Sequence, residues 1–196
     1  MTKAEQPDEQ KVHTIEEKSN GNKYSNSPQA PEDKELVDIG ESVKDLKGEI
    51  TLLDMTKPNQ THTIGPLEVT IEELKILDYY PSADLIDFFH GLAHDESHFN
   101  YAKLTITVKN TSDEQVDFAP IAILETSEGE KVSWEEEFYL EHLIGVYQPK
   151  QVKRGEVGFI IDDTQIEEMQ WIKLHTSEIV LAKDKVIDSQ VIQLDL

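Results

Sequence analysis

The sequence predicts an all-β fold, a β-sandwich carrying one or two short helical insertions. Three observations lead there. From Gly48 onward the chain is a succession of short apolar-alternating runs divided by turn residues. One run, Tyr101 to Lys109, alternates without a fault: Ala102, Leu104, Ile106 and Val108 point one way, Lys103, Thr105 and Thr107 the other. Seven or more such runs with frequent turn signals are the signature of a sandwich or small barrel.

Taken in order, Ile50 to Met55 is the first run and ends in the turn-forming Lys57-Pro58-Asn59-Gln60. A second follows Gly65-Pro66, with Leu67, Val69 and Ile71 on one face, and continues towards Leu74, Ile76 and Leu77. After Tyr101–Lys109 come Val116 to Thr126, the turn Ser127-Glu128-Gly129-Glu130, and Lys131 to Trp134. The remaining runs are 151–161, 170–175, 179–182 and 186–196. Between them, Ser82 can cap a helix in which Leu85, Phe88, Phe89 and Leu92 form one apolar stripe. Ser133 with Glu136 fits a capping box, and Phe138, Tyr139, Leu143 and Ile144 then read either as a short helix or as a β-continuation through Leu140.

Residues 1–45 read differently. They are rich in Glu, Lys, Asn, Ser, Gln and Pro, with isolated aliphatic residues, and cannot bury enough apolar area of their own to offset chain entropy. The sequence therefore predicts a disordered linker over 1–45, with at most a short helical turn near Asp33 to Val43, and one domain over 46–196.

Composition bounds the partners. Forty acidic residues against eighteen basic ones give a formal charge of -22, and Arg154 is the one arginine. Neutralising phosphates needs clustered Lys and Arg, so nucleic acid is excluded as a partner and anionic lipid surfaces are resisted. Neutral surfaces, basic surfaces and cations remain. With no cysteine there are no disulfides, thiol nucleophiles or thiolate metal sites. No run of about 18 apolar residues exists to cross a bilayer as a helix, and Met1 leads directly into polar sequence without the apolar core of a signal peptide.

The strand that ends in Val108-Lys109-Asn110-Thr111-Ser112-Asp113-Glu114, the turn Ser127-Glu128-Gly129, and the later Gly155-Glu156-Val157-Gly158-Phe159 together resemble an Ig-like family of unknown function. That family occurs in lipoproteins and membrane-anchored proteins of Gram-positive bacteria, the YjhA-type lipoproteins of Bacillus among them. The resemblance covers roughly residues 48–196. It implies an Ig-like sandwich, similar to that of a secreted mycobacterial immunoprotective antigen, and export with a lipid anchor on a cysteine upstream of this sequence. Residues 1–45 would then be the spacer between membrane and domain. Each motif also plays an ordinary physical part, since Asn110 and Ser112 close a turn, Gly129 supplies a positive φ and Phe159 fills the core.

For metal, the sequence offers His90, His94 and His98, spaced i, i+4, i+8 with Asp87, Asp95 and Glu96 nearby; on one continuous helix the imidazoles would share a face, and two of them plus a carboxylate would hold a divalent cation such as Zn²⁺. The alternative is an exposed His-rich loop. Asp162-Asp163 and Glu135-Glu136-Glu137 supply oxygen ligands without the spacing of a calcium loop, which favours solvated faces. Trp134, Trp171 and Tyr101 make either a sugar- or peptide-binding platform or core and edge packing. No nucleophile elbow, P-loop, dinucleotide fingerprint or metalloprotease helix is present, and no cofactor is expected. The expected function is a non-enzymatic cell-surface module that binds a protein or a cell-envelope ligand, with homodimerisation through an edge strand or an apolar face as a further expectation; a divalent-metal-binding protein is the alternative.

Overall fold

The computed structural model describes residues 29–140, 142–181 and 186–196, together with the backbone of 12–14. It is all-β. The largest sheet has the order β1 (Val12–Thr14), β2 (Ser42–Asp45), β3 (Gly48–Thr56), β5 (Leu67–Pro81), β6 (Phe99–Asn110) and β11 (Val152–Ile160). Short β4 (Gln60–Ile64) lies beside the start of β5, so β4 and β3 follow one another along the same edge of that long strand. Strand β1 pairs in parallel with β2.

The shift of alternation along β5 has a local cause. Leu67, Val69 and Ile71 face the same core as Leu74 and Ile76, which strict alternation forbids. A bulge between Ile71 and Glu73 inserts the extra residue and restores the phase. Glu72, the bulged residue, is held by Arg154 through Nε and Nη2 at 2.8–3.1 Å and by the Thr107 hydroxyl at 2.7 Å.

Facing this sheet are two four-stranded sheets of matching order. One is β9 (Lys131–Ser133), β8 (Ile123–Thr126), β12 (Trp171–His175), β15 (Val191–Asp195); the other is β10 (Gly145–Tyr147), β7 (Val116–Phe118), β13 (Ile179–Leu181), β14 (Val186–Ile187). Strands β7 and β8, β12 and β13, and β14 and β15 are consecutive in the chain and occupy corresponding places in the two sheets, whereas residues 134–144 separate β9 from β10. Two runs that the sequence presents as single strands, 116–126 and 186–196, break between the two sheets. Pro120, lacking an N–H, sits at the first break, where the Ala119 N–H turns to the Ser177 hydroxyl at 2.9 Å and the Ala122 N–H to the His175 carbonyl at 2.7 Å. Inward residues of these strands, such as Phe118, Leu124, Ile172, Leu174 and Leu194, share one buried cluster with Ile71, Leu104, Ile106, Val157 and Phe159 of the large sheet.

The opposite face of the large sheet is covered as well, and this differs from the sequence reading. Tyr79, Phe89, Phe99, Tyr101, Phe138 and Tyr139 form a second core of edge-to-face rings there, and Ala30, Leu36 and Val43 are buried against it. Residues 29–45 thus belong to the domain, and the expected boundary at 45/46 falls inside the β2–β3 hairpin. Composition counts only the apolar area a segment carries; it does not count the aromatic face the segment completes. The rest of the expected linker, apart from 12–14, lies outside the described residues.

Both expected helices are reduced to single 3₁₀ turns, Ile86–Phe89 and Trp134–Glu136. In the first, Phe89 is buried and Leu85, Phe88 and Leu92 pack partly against the second core, so the apolar stripe docks as expected while the helix does not extend. The second carries the expected contact from the Ser133 N–H to Glu136 at 3.3 Å. Beyond it, Glu137 is buried rather than solvated: its carboxylate accepts from the N–H groups of Tyr139 at 2.6 Å, Leu140 at 2.9 Å and Gly158 at 3.0 Å, fixing the 137–140 segment to the edge of β11. The Gly129 turn forms as expected, with φ of 92° and its N–H on the Thr126 carbonyl.

Candidate functional site

Three surfaces and one buried cluster carry unusual chemistry. The histidine loop bounds two of the surfaces. Since the chain makes only one 3₁₀ turn before Gly91, the three imidazoles do not share a face. His90 Nδ1 meets Glu96 at 2.7 Å; His94 Nδ1 lies 3.3 Å from Asp163 while its N–H donates to Asp162 at 2.6 Å; His98 Nε2 meets Asp78 at 2.6 Å. The expected metal set of His90, His94 and His98 is therefore divided among four carboxylates, Glu96, Asp162, Asp163 and Asp78. Among the described residues no group of three or more His, Asp or Glu side chains is placed to hold a metal ion.

The first cleft, about 480 Å³, lies under His94 and is bounded by Lys131, Glu136, Asp162, Asp163 and Glu130. Burial pushes the Glu130 carboxyl up, aided by the charges of Asp162 and Asp163, although the Thr164 hydroxyl and the Asp163 N–H donate to it. Asp162 and Asp163 thus serve a loop-to-loop contact with His94 and fail to converge on a calcium-like point.

The second cleft, about 570 Å³, lies where the end of β5 pairs with the start of β6. Alternation places Asp78 and Tyr80 of β5 on one face, across from Asn100 and His98. The Tyr80 and His98 rings stack with centroids 4.1 Å apart and 9° between planes. Leu53, at the irregularity in β3, joins Ile166 and Met169 as apolar lining.

The third surface is the outer face of the sheet β10-β7-β13-β14. Register aligns Val146, Asp117, Val180 and Val186 in one row across all four strands. The valines are 41%, 45% and 49% exposed, and Trp134, 46% exposed, lines the adjoining groove with Ile144. Of the expected aromatic platform, Trp134 is on this surface and Trp171 lies under the Lys173 ammonium at 4.1 Å, but Tyr101 is fully buried in the second core.

The buried cluster lies on the far side of the large sheet. Asp33 receives Lys75 at 2.9 Å and Lys103 on its two carboxylate oxygens, and its carbonyl accepts from Lys75 again at 2.8 Å. Lys103 also reaches Glu156 at 2.9 Å. Sequence reasoning misses this site because Asp33 sits in a polar stretch with no periodic signal.

Among the described residues the carboxylate–imidazole pairs Asp78–His98, Glu96–His90 and Glu125–His175 show no Ser, Thr or Tyr hydroxyl on the remaining ring nitrogen.

The fold is that of an all-β domain, similar to functionally uncharacterized proteins. The chain belongs to the family of YdhF, an uncharacterized protein of Bacillus subtilis, with which it is 33% identical over 195 residues, covering 92% of this chain and 82% of that protein. No family model matches. Among solved structures, a functionally unknown protein from Listeria monocytogenes superposes with a TM-score of 0.54 at 13% identity, over 77% of this chain and 88% of that one. The YjhA protein of Bacillus subtilis is a more distant structural neighbour, with a TM-score of 0.39 at 12% identity over 60% and 80% of the two chains.

Proposed function

We propose that this protein is a non-enzymatic binding module of Ig-like architecture, held by a lipid anchor on the outer face of a Gram-positive membrane, that docks a partner protein through the valine row. The observation that carries the reading is the row itself. Three half-exposed valines aligned across four strands, with Trp134 beside them, are out of character on a chain of charge -22. Asp117 stands in the middle of that row, so the complementary surface is apolar with one Lys or Arg placed to meet it, on a basic partner drawn by the overall field. The polar residues that precede the domain suit a spacer, which supports the tethered address.

Photo-crosslinking from position 180 on intact cells tests the docking. A basic surface protein captured with the wild-type row and lost in Val146→Asp and Val186→Asp is the expected result. Capture that is indifferent to those substitutions, or that returns only a second copy of this chain, overturns it. The address is tested separately: external protease on intact cells degrades the protein if it is surface-tethered, and protection overturns that part.

A further inference from the structure

We propose that the cleft at the end of β5 and the start of β6 is a carbohydrate site that takes a neutral saccharide against the Tyr80–His98 stack. It shares no residue with the valine row and does not depend on it.

Three features of the cleft converge on this ligand class. The first is the stack. Tyr80 is 49% exposed and lies parallel to His98, so the two rings cover each other's inner faces and leave an outer aromatic face of the stack for a ligand at the cleft that both line. The electron-rich face of an aromatic ring attracts the weakly positive C–H groups that line one side of a pyranose. His98 is held at its Nε2 edge by Asp78 at 2.6 Å, so the stack is pre-formed.

The second is the distribution of polar groups. The side-chain amides of Asn100 and Gln165 line the cleft, and neither is engaged in a hydrogen bond with the described residues. Asp54 and Asp78 each commit one oxygen internally, to the Met55 N–H and to His98, and keep the other as an acceptor. Hydroxyl groups, which donate and accept at once, satisfy such a mixture of amides and carboxylates. An anionic ligand is repelled by Asp54, Asp78 and Glu167, which excludes acidic sugars.

The third is the floor. Leu53, Ile166 and Met169 are core residues reaching the surface, so the cleft is apolar below and polar at its rim, the usual make-up of a small-molecule site. Its volume of about 570 Å³ lies within the range of such sites.

The test is titration of the full chain, followed by amide resonances, with neutral chitotetraose, cellotetraose and maltotetraose, and separately with spermidine. Saturable shifts centred on 78–80, 98–100 and 165–166 with at least one oligosaccharide are expected. Tyr80→Ala is expected to weaken that binding about tenfold, the upper end of one aromatic contact, while Tyr80→Trp retains it. Asn100→Ala gives an independent loss if Tyr80→Ala unfolds. Absence of shifts with all three sugars, shifts that persist in both alanine variants, or a response in the cleft to spermidine alone overturns the proposal.

Discussion

Lys75 and Lys103 stand directly opposite each other on β5 and β6, both almost fully buried, and both donate to the same carboxylate, Asp33. Like charges facing across two strands repel, and a buried ammonium without a partner is costly. Asp33 offers one carboxylate oxygen to each lysine, Glu156 adds a second charge to Lys103 and Glu73 to Lys75, and the arrangement makes the stretch around Asp33 part of the fold. Asp33→Ala is therefore expected to destabilise the domain by about 3–5 kcal/mol, because it leaves two buried cations under-compensated. Urea denaturation measures it. Glu32→Ala, which removes an exposed pair with Lys34, should cost no more than about 1 kcal/mol; equal effects would show that the cluster does not hold the segment.

Acid titration should expose the same cluster. Burial disfavours the Asp33 anion, but Lys103 and Lys75 outweigh it and hold the carboxyl below its ordinary 3.8. A depressed carboxylate contributes stability that is complete above the unfolded-state value and is lost as pH falls through the folded-state one. Wild-type unfolding midpoints should thus fall below pH 4 with a component that Asp33→Asn lacks.

Glu130 has the opposite sign. Burial first, then Asp162 and Asp163, raise its carboxyl above the ordinary 4.5. Its relative stabilisation is present below that value and is lost as pH rises through the folded-state one. Glu130→Gln keeps an acceptor for Thr164 and removes the charge, so the melting temperature should rise at pH 7 and stay unchanged at pH 4. A drop at pH 7 would contradict this.

Asn110 is a buried junction rather than a surface turn residue. Its amide donates to the carbonyls of Glu114 at 2.8 Å and Gln148 at 3.0 Å, and its oxygen accepts from the N–H and hydroxyl of Ser112. Asn110→Ala should cost about 1–3 kcal/mol by stranding these groups, measured by denaturation. Asn110→Asp should be at least as damaging, since it replaces the donor with a charge facing carbonyls.

Gly158 is required by close approach. A Cβ there would sit 2.5 Å from the Tyr139 Cδ2 and 3.0 Å from the Phe138 Cε1, in rings that are both buried. Gly158→Ala should lose about 1–3 kcal/mol through overpacking. In a Tyr139→Leu background the same change should cost less, and a thermodynamic cycle on the four proteins reads the coupling.

Some of this was legible in the chain alone. The alternation of Ala102, Leu104, Ile106 and Val108 placed a strand and one of its two buried faces, since a period of two is a property of neighbours a few residues apart. The turn at Gly129, the apolar stripe from Leu85 to Leu92 and the charge balance were local or additive in the same sense. What the sequence did not determine depends on pairings closed over long distance. Asp33 meets residues 42 and 70 positions away, Glu137 caps a strand 21 positions on, and the valine row requires four separate strands in register. Spacing grouped His90, His94 and His98 only on the assumption of a continuous helix; tertiary packing of Phe89 into the second core replaced that helix with a single turn and sent each imidazole to its own carboxylate. Composition described the residues around Asp33 as unable to fold by themselves. Only the assembled sheet, with its two buried lysines and its aromatic face, gave them somewhere to fold.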